Sequence, residues 1–363
     1  MVTQFDVVVV GAGIVGCACA ARLAREGLSV CVVDPSPPGS GATAAGMGHL
    51  VVMDDSSAQF ELTIASLRLW FDLLPTLPRS AETISAGTLW VAEDEAGMEA
   101  VESKRTLYAN AGVAAETWGP SRVHEGEPVL RPVAGALHVP GDCVVYPPTI
   151  AAKLLADSRA TLVQATATAI NGDGCETSQG PLKARCVVNC AGARATDFAP
   201  LPIQPRKGHL AITERRPGFL RHQVVELGYL ASAHGSDEAS VAFNVQPRAT
   251  GQVLIGSSRE FAGWDPAIRR TMLAKMIARA VSFVPELATL HVVRSWVGFR
   301  AATNDHLPVI GPMPGQPSHI VAAGHEGLGI TTSLATAELV AHHVCGVEPV
   351  ISPEPYLPGR FAA

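Results

Sequence analysis

Apolar residues follow two rhythms along this chain. Phe5 to Val10 is an apolar run, polar only at Asp6, and it ends on glycine. Such a run marks a strand buried on both faces, as in a parallel sheet. Ile14 to Glu26 reads as a helix with Gly27 placed to end it, and Leu28 to Val33 reads as a second buried strand closed by Asp34. Together they make a βαβ unit. Further on, the spacing predicts helices over Gln59–Leu74 and Pro148–Ala156, and strands over Gly87–Val91 and Ala136–Val139. Leu162 to Val188 alternates short strands with glycine turns, and Arg185–Cys190 is another buried strand stopped by Ala191-Gly192-Ala193. Ile203–Thr213 and Val241–Ser257 read as long, half-exposed antiparallel strands. Asp265-Pro266 opens a predicted helix with Ile268, Met272, Met276 and Ala280 on one face. Ile320–Ala323 is a last strand, and Gly324–Gly329 turns into a helix running to Cys345 with Gly346 after it.

Nucleotide-type elements therefore occur at the start, middle and end, with antiparallel material between. The expected fold class is α/β: a Rossmann-like FAD-binding domain interleaved with an antiparallel-sheet α+β substrate domain. The first takes residues 1–80, 146–202 and 290–363, the second 81–145 and 203–289.

Composition narrows the function. The 363 residues are 47% apolar and 17% charged, so two lobes with substantial cores are expected. The net charge is −6 without a Lys/Arg run, which argues against nucleic-acid binding. No uncharged apolar stretch is long enough to span a bilayer. The apolar opening Val7–Ala21 follows Asp6, with no basic residue before it, and is broken by glycines, so it reads as core and not as a signal peptide. Eight cysteines stand at 17, 19, 31, 143, 175, 186, 190 and 345 in no paired metal pattern. Reduced thiols, a cytoplasmic location and no metal are expected, and the adjacent His342-His343 point different ways on a helix. No nucleophilic triad is evident.

The chemistry starts at Gly11-Ala12-Gly13-Ile14-Val15-Gly16. It follows a strand, opens a helix, and Asp34 ends the next strand eighteen residues on, which makes it a dinucleotide fingerprint. Gly11 permits the turn, Gly13 the approach of a pyrophosphate, and Gly16 the packing of helix on strand. Asp34 would accept a ribose hydroxyl, and the helix N-terminus favours the phosphates. The fingerprint does not choose between NAD and FAD.

Two further stretches add to it. One is Val187-Val188-Asn189-Cys190-Ala191-Gly192-Ala193. The other runs Trp296-Val297-Gly298-Phe299-Arg300, Asp305-His306-Leu307-Pro308-Val309-Ile310-Gly311 and Ala323-Gly324-His325-Glu326-Gly327-Leu328-Gly329-Ile330. In this order, over nearly the whole chain, they resemble the D-amino-acid oxidase, glycine oxidase and sarcosine oxidase family of flavoproteins. The match is thin between Ala92 and Pro132. The loop Gly41-Ala42-Thr43-Ala44-Ala45-Gly46-Met47-Gly48-His49 is similar to that of D-hydroxyproline dehydrogenase-type members, relatives of opine oxidase and hydrogen cyanide synthase subunits.

The resemblance implies bound FAD and hydride transfer to its N5 from the carbon beside an amine, giving an imine. It implies a small D-amino or cyclic D-imino acid as substrate, with cis-4-hydroxy-D-proline foremost. An opine, sarcosine, glycine or linear D-amino acid is the alternative, as is a flavin subunit working only in a hetero-oligomer. Oxygen or a quinone would accept the electrons, and homo- or hetero-oligomeric partners stay open. By the same resemblance Arg300 pairs with the substrate carboxylate, a role that suits a planar, permanently charged guanidinium. The Gly327 carbonyl receives the amine, Tyr229 forms a lid, and His49 sits at the ring edge. Ala42, Thr43, Gly46, Met47, Gly48, Gly298, His325, Gly327, Leu328, Gly329 and Ile330 line the pyrophosphate and ring; His209 leads towards them. Ala167, Cys190, Ala191 and Gly192 lie against the nucleotide. Two departures count. Glycine oxidases carry an arginine where this chain has Gly327, and Ala301-Ala302 follow Arg300 where sarcosine oxidases attach flavin through a cysteine. With no histidine at the attachment point of the Gly41–Ala45 loop either, non-covalent FAD is expected.

Overall fold

The computed structural model describes residues 4–228 and 239–361. Its first sheet is built round the opening strand. In order across the sheet lie Val309–Met313, Gln316–Ala323, Leu182–Asn189, Gln4–Val10, Val30–Val33 and Thr161–Val163. All neighbours in this row are parallel except the first pair. Val9 pairs with Val32 on one side and Val188 on the other. Val7 to Val10 are fully buried, as an uninterrupted apolar run requires when helices cover both faces. Ala167–Asn171 and Gly174–Thr177 form an antiparallel arm on Leu182–Asn189.

The helix Ile14–Arg25 packs against the helices Pro147–Ser158 and Gly329–Cys345 through a run of Gly, Cys and Ala. These small side chains allow close approach. Gly346 ends the last helix in the left-handed conformation, as its position after Cys345 predicts.

The second sheet runs Val292–Thr303, Ile203–Thr213, Val253–Arg259, Ser240–Pro247, Gln223–Glu226, Thr88–Ala92, Gly135–Val139 and Glu116–Trp118. It is antiparallel apart from Gln223–Glu226 on Thr88–Ala92. One face carries Trp90, Leu137, Val139 and Val225 into the core shared with the nucleotide-type elements. The other carries Leu89, Val91, Val224 and Phe243 against Met276, Ala280 and Phe283 of the helix Arg270–Phe283. Phe243 stacks on Phe283 at 4.2 Å.

Several sequence readings need correction. Val241–Ser257 is two strands, Ser240–Pro247 and Val253–Arg259, and both are largely buried because helix and core cover the two faces. The helix read from Asp265 starts at Arg270, and Ile268 is 39% exposed ahead of it. Asp265 instead accepts hydrogen bonds from Lys207 Nζ at 2.9 Å and the Ala267 amide at 3.0 Å. Residue 290, read as a return to nucleotide-type structure, lies just before Val292–Thr303, which hydrogen-bonds along its length to Ile203–Thr213 in the second sheet. The 16-residue helix Glu95–Asn110 stands where the motif match is thin.

Candidate active site

Two of the fingerprint glycines, Gly11 and Gly16, are demanded by backbone, while a Cβ on Gly13 would meet only Thr43 Oγ1, at 3.2 Å. Gly11 has φ +109°, and a Cβ there would stand 2.5 Å from the Cys190 carbonyl oxygen. A Cβ on Gly16 would stand 1.9 Å from the Gly11 carbonyl oxygen. The turn is closed from outside as well: the Ile14 amide donates to Thr43 Oγ1 at 3.0 Å, and the Ala12 amide donates to Asp34 Oδ2 at 2.8 Å. Asp34 Oδ1 accepts from the Ser36 amide at 2.8 Å. Each carboxylate oxygen keeps a lone pair for a ribose hydroxyl. The Cys190 amide donates to Val10, and Ala167 and Ala191 pack on the cluster containing Val10 and Val33. A Gly-rich turn on a helix N-terminus, with a fixed carboxylate at the next strand end, fits an adenine dinucleotide.

The loop Gly41–His49 ties this turn to the C-terminal block. A Cβ on Gly298 would stand 2.6 Å from Ala45 Cβ, and Trp296 Nε1 donates to the Ala45 carbonyl at 3.2 Å. A Cβ on Gly46 would lie 3.0 Å from Ile330, and one on Gly48 (φ +86°) 2.0 Å from the Val145 carbonyl oxygen. Val15 of the fingerprint lies next to Gly329. The Met47 carbonyl accepts from Gln246 Nε2 at 2.6 Å, and the His49 carbonyl from Thr331 Oγ1 at 3.0 Å. Gly192 begins a short 3-10 turn with φ +58°. Residues far apart in the chain thus meet at one crevice.

That crevice opens into a cavity with 710 Å³ of atom-free space, part of it open to solvent. His49, Arg300, His325, Gly327 and Leu328 line it, as do Trp90, Asn244 and Arg259 from the second sheet. The guanidinium of Arg300 lies across Gly208, where a Cβ would meet Nη1 at 2.1 Å, and donates to the Ser258 carbonyl at 3.0 Å. Gly327 faces it: a Cβ there would lie 3.6 Å from Arg300 Nε. Burial pushes the rings of His49 and His325 down to about 4, so both are neutral at working pH. His49 Nε2 has no hydrogen-bond partner among the described residues, while His325 Nε2 meets Thr336 Oγ1 at 3.0 Å. Glu326, on the cavity rim, accepts from Arg206 Nη1 at 2.7 Å and faces His306 Nδ1 at 3.1 Å.

Some sequence-predicted residues stand elsewhere. Tyr229 lies outside the described residues. His209 is fully buried between Ser258 Oγ and the Arg269 amide, held at both ring nitrogens, and does not line the cavity. Trp90, Asn244 and Arg259 were missed. They sit on strands of the second sheet that carry none of the motifs, and only cross-strand register brings them together.

Residues 6–343 match the family model described as DAO, FAD dependent oxidoreductase. The chain belongs to that family. This DAO-family chain is 30% identical to glycine oxidase from Pseudomonas putida over 98% of its own length and 99% of that protein. It is 26% identical to the hydrogen cyanide synthase subunit HcnC of Pseudomonas aeruginosa, over 98% and 96% of the two chains. The crystal structure of glycine oxidase from Geobacillus kaustophilus superposes with a TM-score of 0.89 at 26% identity, covering 99% of each chain. The protein is an FAD-dependent oxidoreductase with the interleaved α/β architecture of its family.

Proposed function

We propose that this enzyme oxidises the carbon–nitrogen bond of a small D-amino or cyclic D-imino acid, cis-4-hydroxy-D-proline foremost, to the imine. The observation that carries the reading is the Arg300 guanidinium beside Gly327 in a cavity also lined by His49, His325 and Leu328 of the loop and turn that resemble the flavin-side motifs. Gly11, Gly13, Gly16, Asp34 and Thr43 would hold the dinucleotide, and bound FAD supplies the two-electron acceptor. Arg300, fixed by the Ser258 carbonyl, pairs with the substrate carboxylate. The Gly327 carbonyl accepts from the amine, which orients the carbon between them. His49 offers a neutral ring nitrogen at the cavity wall. No covalent link to the flavin is proposed, since Ala301 and Ala302 follow Arg300. The nucleotide domain is assigned to 1–80, 146–202 and the chain after Thr303, and the substrate domain to 81–145 and 203–289 together with the strand Val292–Thr303.

All eight cysteines are free thiols, in keeping with a reducing, cytoplasmic setting, and no helix among the described residues is long and apolar enough to cross a membrane. A second reading, an opine-type amine with two carboxylates, is favoured by Arg259, a second guanidinium in the same cavity. A screen of D-amino acids, both hydroxy-D-proline epimers, sarcosine, glycine and opines, read as anaerobic flavin bleaching, separates the readings. Arg300→Ala is expected to keep the yellow colour and lose about a hundredfold or more in kcat/KM. An unchanged KM for that variant overturns the carboxylate role.

A further inference from the structure

The floor of the cavity carries polar atoms that the carboxylate anchor leaves unused. Register defines that floor. Trp90 pairs with Val225, and Val225 pairs with Asn244, so the three side chains stand in one row across three strands. All three line the cavity. Trp90 is 2% exposed and Asn244 3%. Among the described residues neither Trp90 Nε1 nor Asn244 Oδ1 has a hydrogen-bond partner. Buried polar atoms are nearly always paired, so two orphans on one cavity floor call for a partner that arrives with the ligand.

Their chemistry specifies it. The indole N–H only donates and the amide oxygen only accepts. One hydroxyl satisfies both, accepting from Trp90 and donating to Asn244. A carboxylate would be repelled by the amide oxygen. Arg259 also lines the cavity, on the neighbouring strand Val253–Arg259. The span also fits. Arg300 lies over Gly208, the strand of Asn244 is two strands away in the sheet, roughly 10 Å at about 4.8 Å per strand, and the strand of Trp90 is two further on, its large indole lining the same cavity. A small ring with a carboxylate at one corner and a hydroxyl at the opposite corner bridges that gap.

We infer that Trp90 and Asn244 form a hydroxyl-recognition subsite that makes the enzyme selective for hydroxylated over plain cyclic D-imino acids. The inference rests on the substrate reading above and adds the group at the far end of the ring.

The test compares kcat/KM for cis-4-hydroxy-D-proline and D-proline on the holoenzyme. The native enzyme is expected to favour the hydroxylated ring by about tenfold or more. Trp90→Phe and Asn244→Leu are each expected to cut that ratio about fivefold, through KM of the hydroxylated ring, with flavin absorbance retained. A purely structural role would lower both substrates together and leave the ratio unmoved. Equal efficiency on the two rings in the native enzyme overturns the subsite and leaves the substrate reading standing. So does an unmoved ratio in either flavin-loaded variant. Turnover of neither ring, with an opine or a linear amine oxidised instead, overturns both.

Discussion

Glu326 stands at φ +47°, left-handed without being glycine, in the turn between the last strand and the last helix. Its amide donates to the Ala301 carbonyl at 2.9 Å, and its carboxylate holds Arg206 at 2.7 Å and His306 at 3.1 Å. Burial alone would raise its pKa. The His306 hydrogen bond and the charges of Arg206 and Arg259 outweigh burial and bring it from 4.5 to about 2. At roughly 1.36 kcal/mol for each pH unit, that gap is worth about 3 kcal/mol of folding stability at neutral pH. The folded pKa is the lower one, so this stability is complete above the unfolded value near 4.5 and is lost as pH falls towards 2. About 1.4 kcal/mol should remain at pH 3. Glu326→Gln removes the charge, keeps the shape and leaves the buried Arg206 without its carboxylate. The variant is expected to unfold about 3 kcal/mol more easily than the native holoprotein at pH 7 in urea titrations, with the deficit shrinking by half or more at pH 3. A deficit that is absent at pH 7, or that stays constant from pH 6 to 3, refutes the assignment of a strongly stabilised carboxylate.

Three further expectations follow from the same geometry. Gly16→Ala places a methyl 1.9 Å from the Gly11 carbonyl oxygen, so the turn must shift; the purified variant should carry little FAD, and a native flavin-to-protein absorbance ratio would contradict this. Asp142 is buried and its carboxyl is pushed up to about 7, so its ionisation costs stability increasingly as pH rises from 4 to 7. Asp142→Asn should therefore gain in denaturation midpoint relative to the native protein across that range, and a difference independent of pH would refute it. Gly327→Ala adds a methyl 3.6 Å from Arg300 Nε, an ordinary contact; flavin content should hold while KM for ring substrates rises more than KM for glycine, and equal rises would show that the turn does not border the ring's site.

The nucleotide half of the site was legible because its constraints are local. Gly11 and Gly16 are dictated by atoms within the same turn or by Cys190, whose strand is itself marked by an apolar run. Asp34 is placed by the end of a strand. The C-terminal block was legible through its motif order, and Arg300 and Gly327 do face one another. The substrate half resisted for the opposite reason. Trp90 and Asn244 are 154 positions apart and fall in one row only because Val225 between them pairs with both, through the parallel pairing with Thr88–Ala92 and the antiparallel pairing with Ser240–Pro247. No periodicity within either strand announces that pairing. His209, on a strand read as leading towards the flavin, is held at both ring nitrogens by Ser258 and Arg269 and does not line the cavity.

This asymmetry bears on how substrate choice is separated from cofactor binding. Gly11, Gly16 and Gly48 are locked by backbone clashes that no side-chain change elsewhere can relieve. The cavity floor is set by single side chains on a sheet whose opposite face carries its own packing, Phe243 on Phe283 among others. A change confined to the polar atom of a floor residue, such as Asn244→Leu, leaves that packing in place. A 30% identity to a glycine oxidase over the whole chain is therefore compatible with a different amine in the cavity, because the residues that set the cofactor and those that set the substrate belong to separate structural constraints.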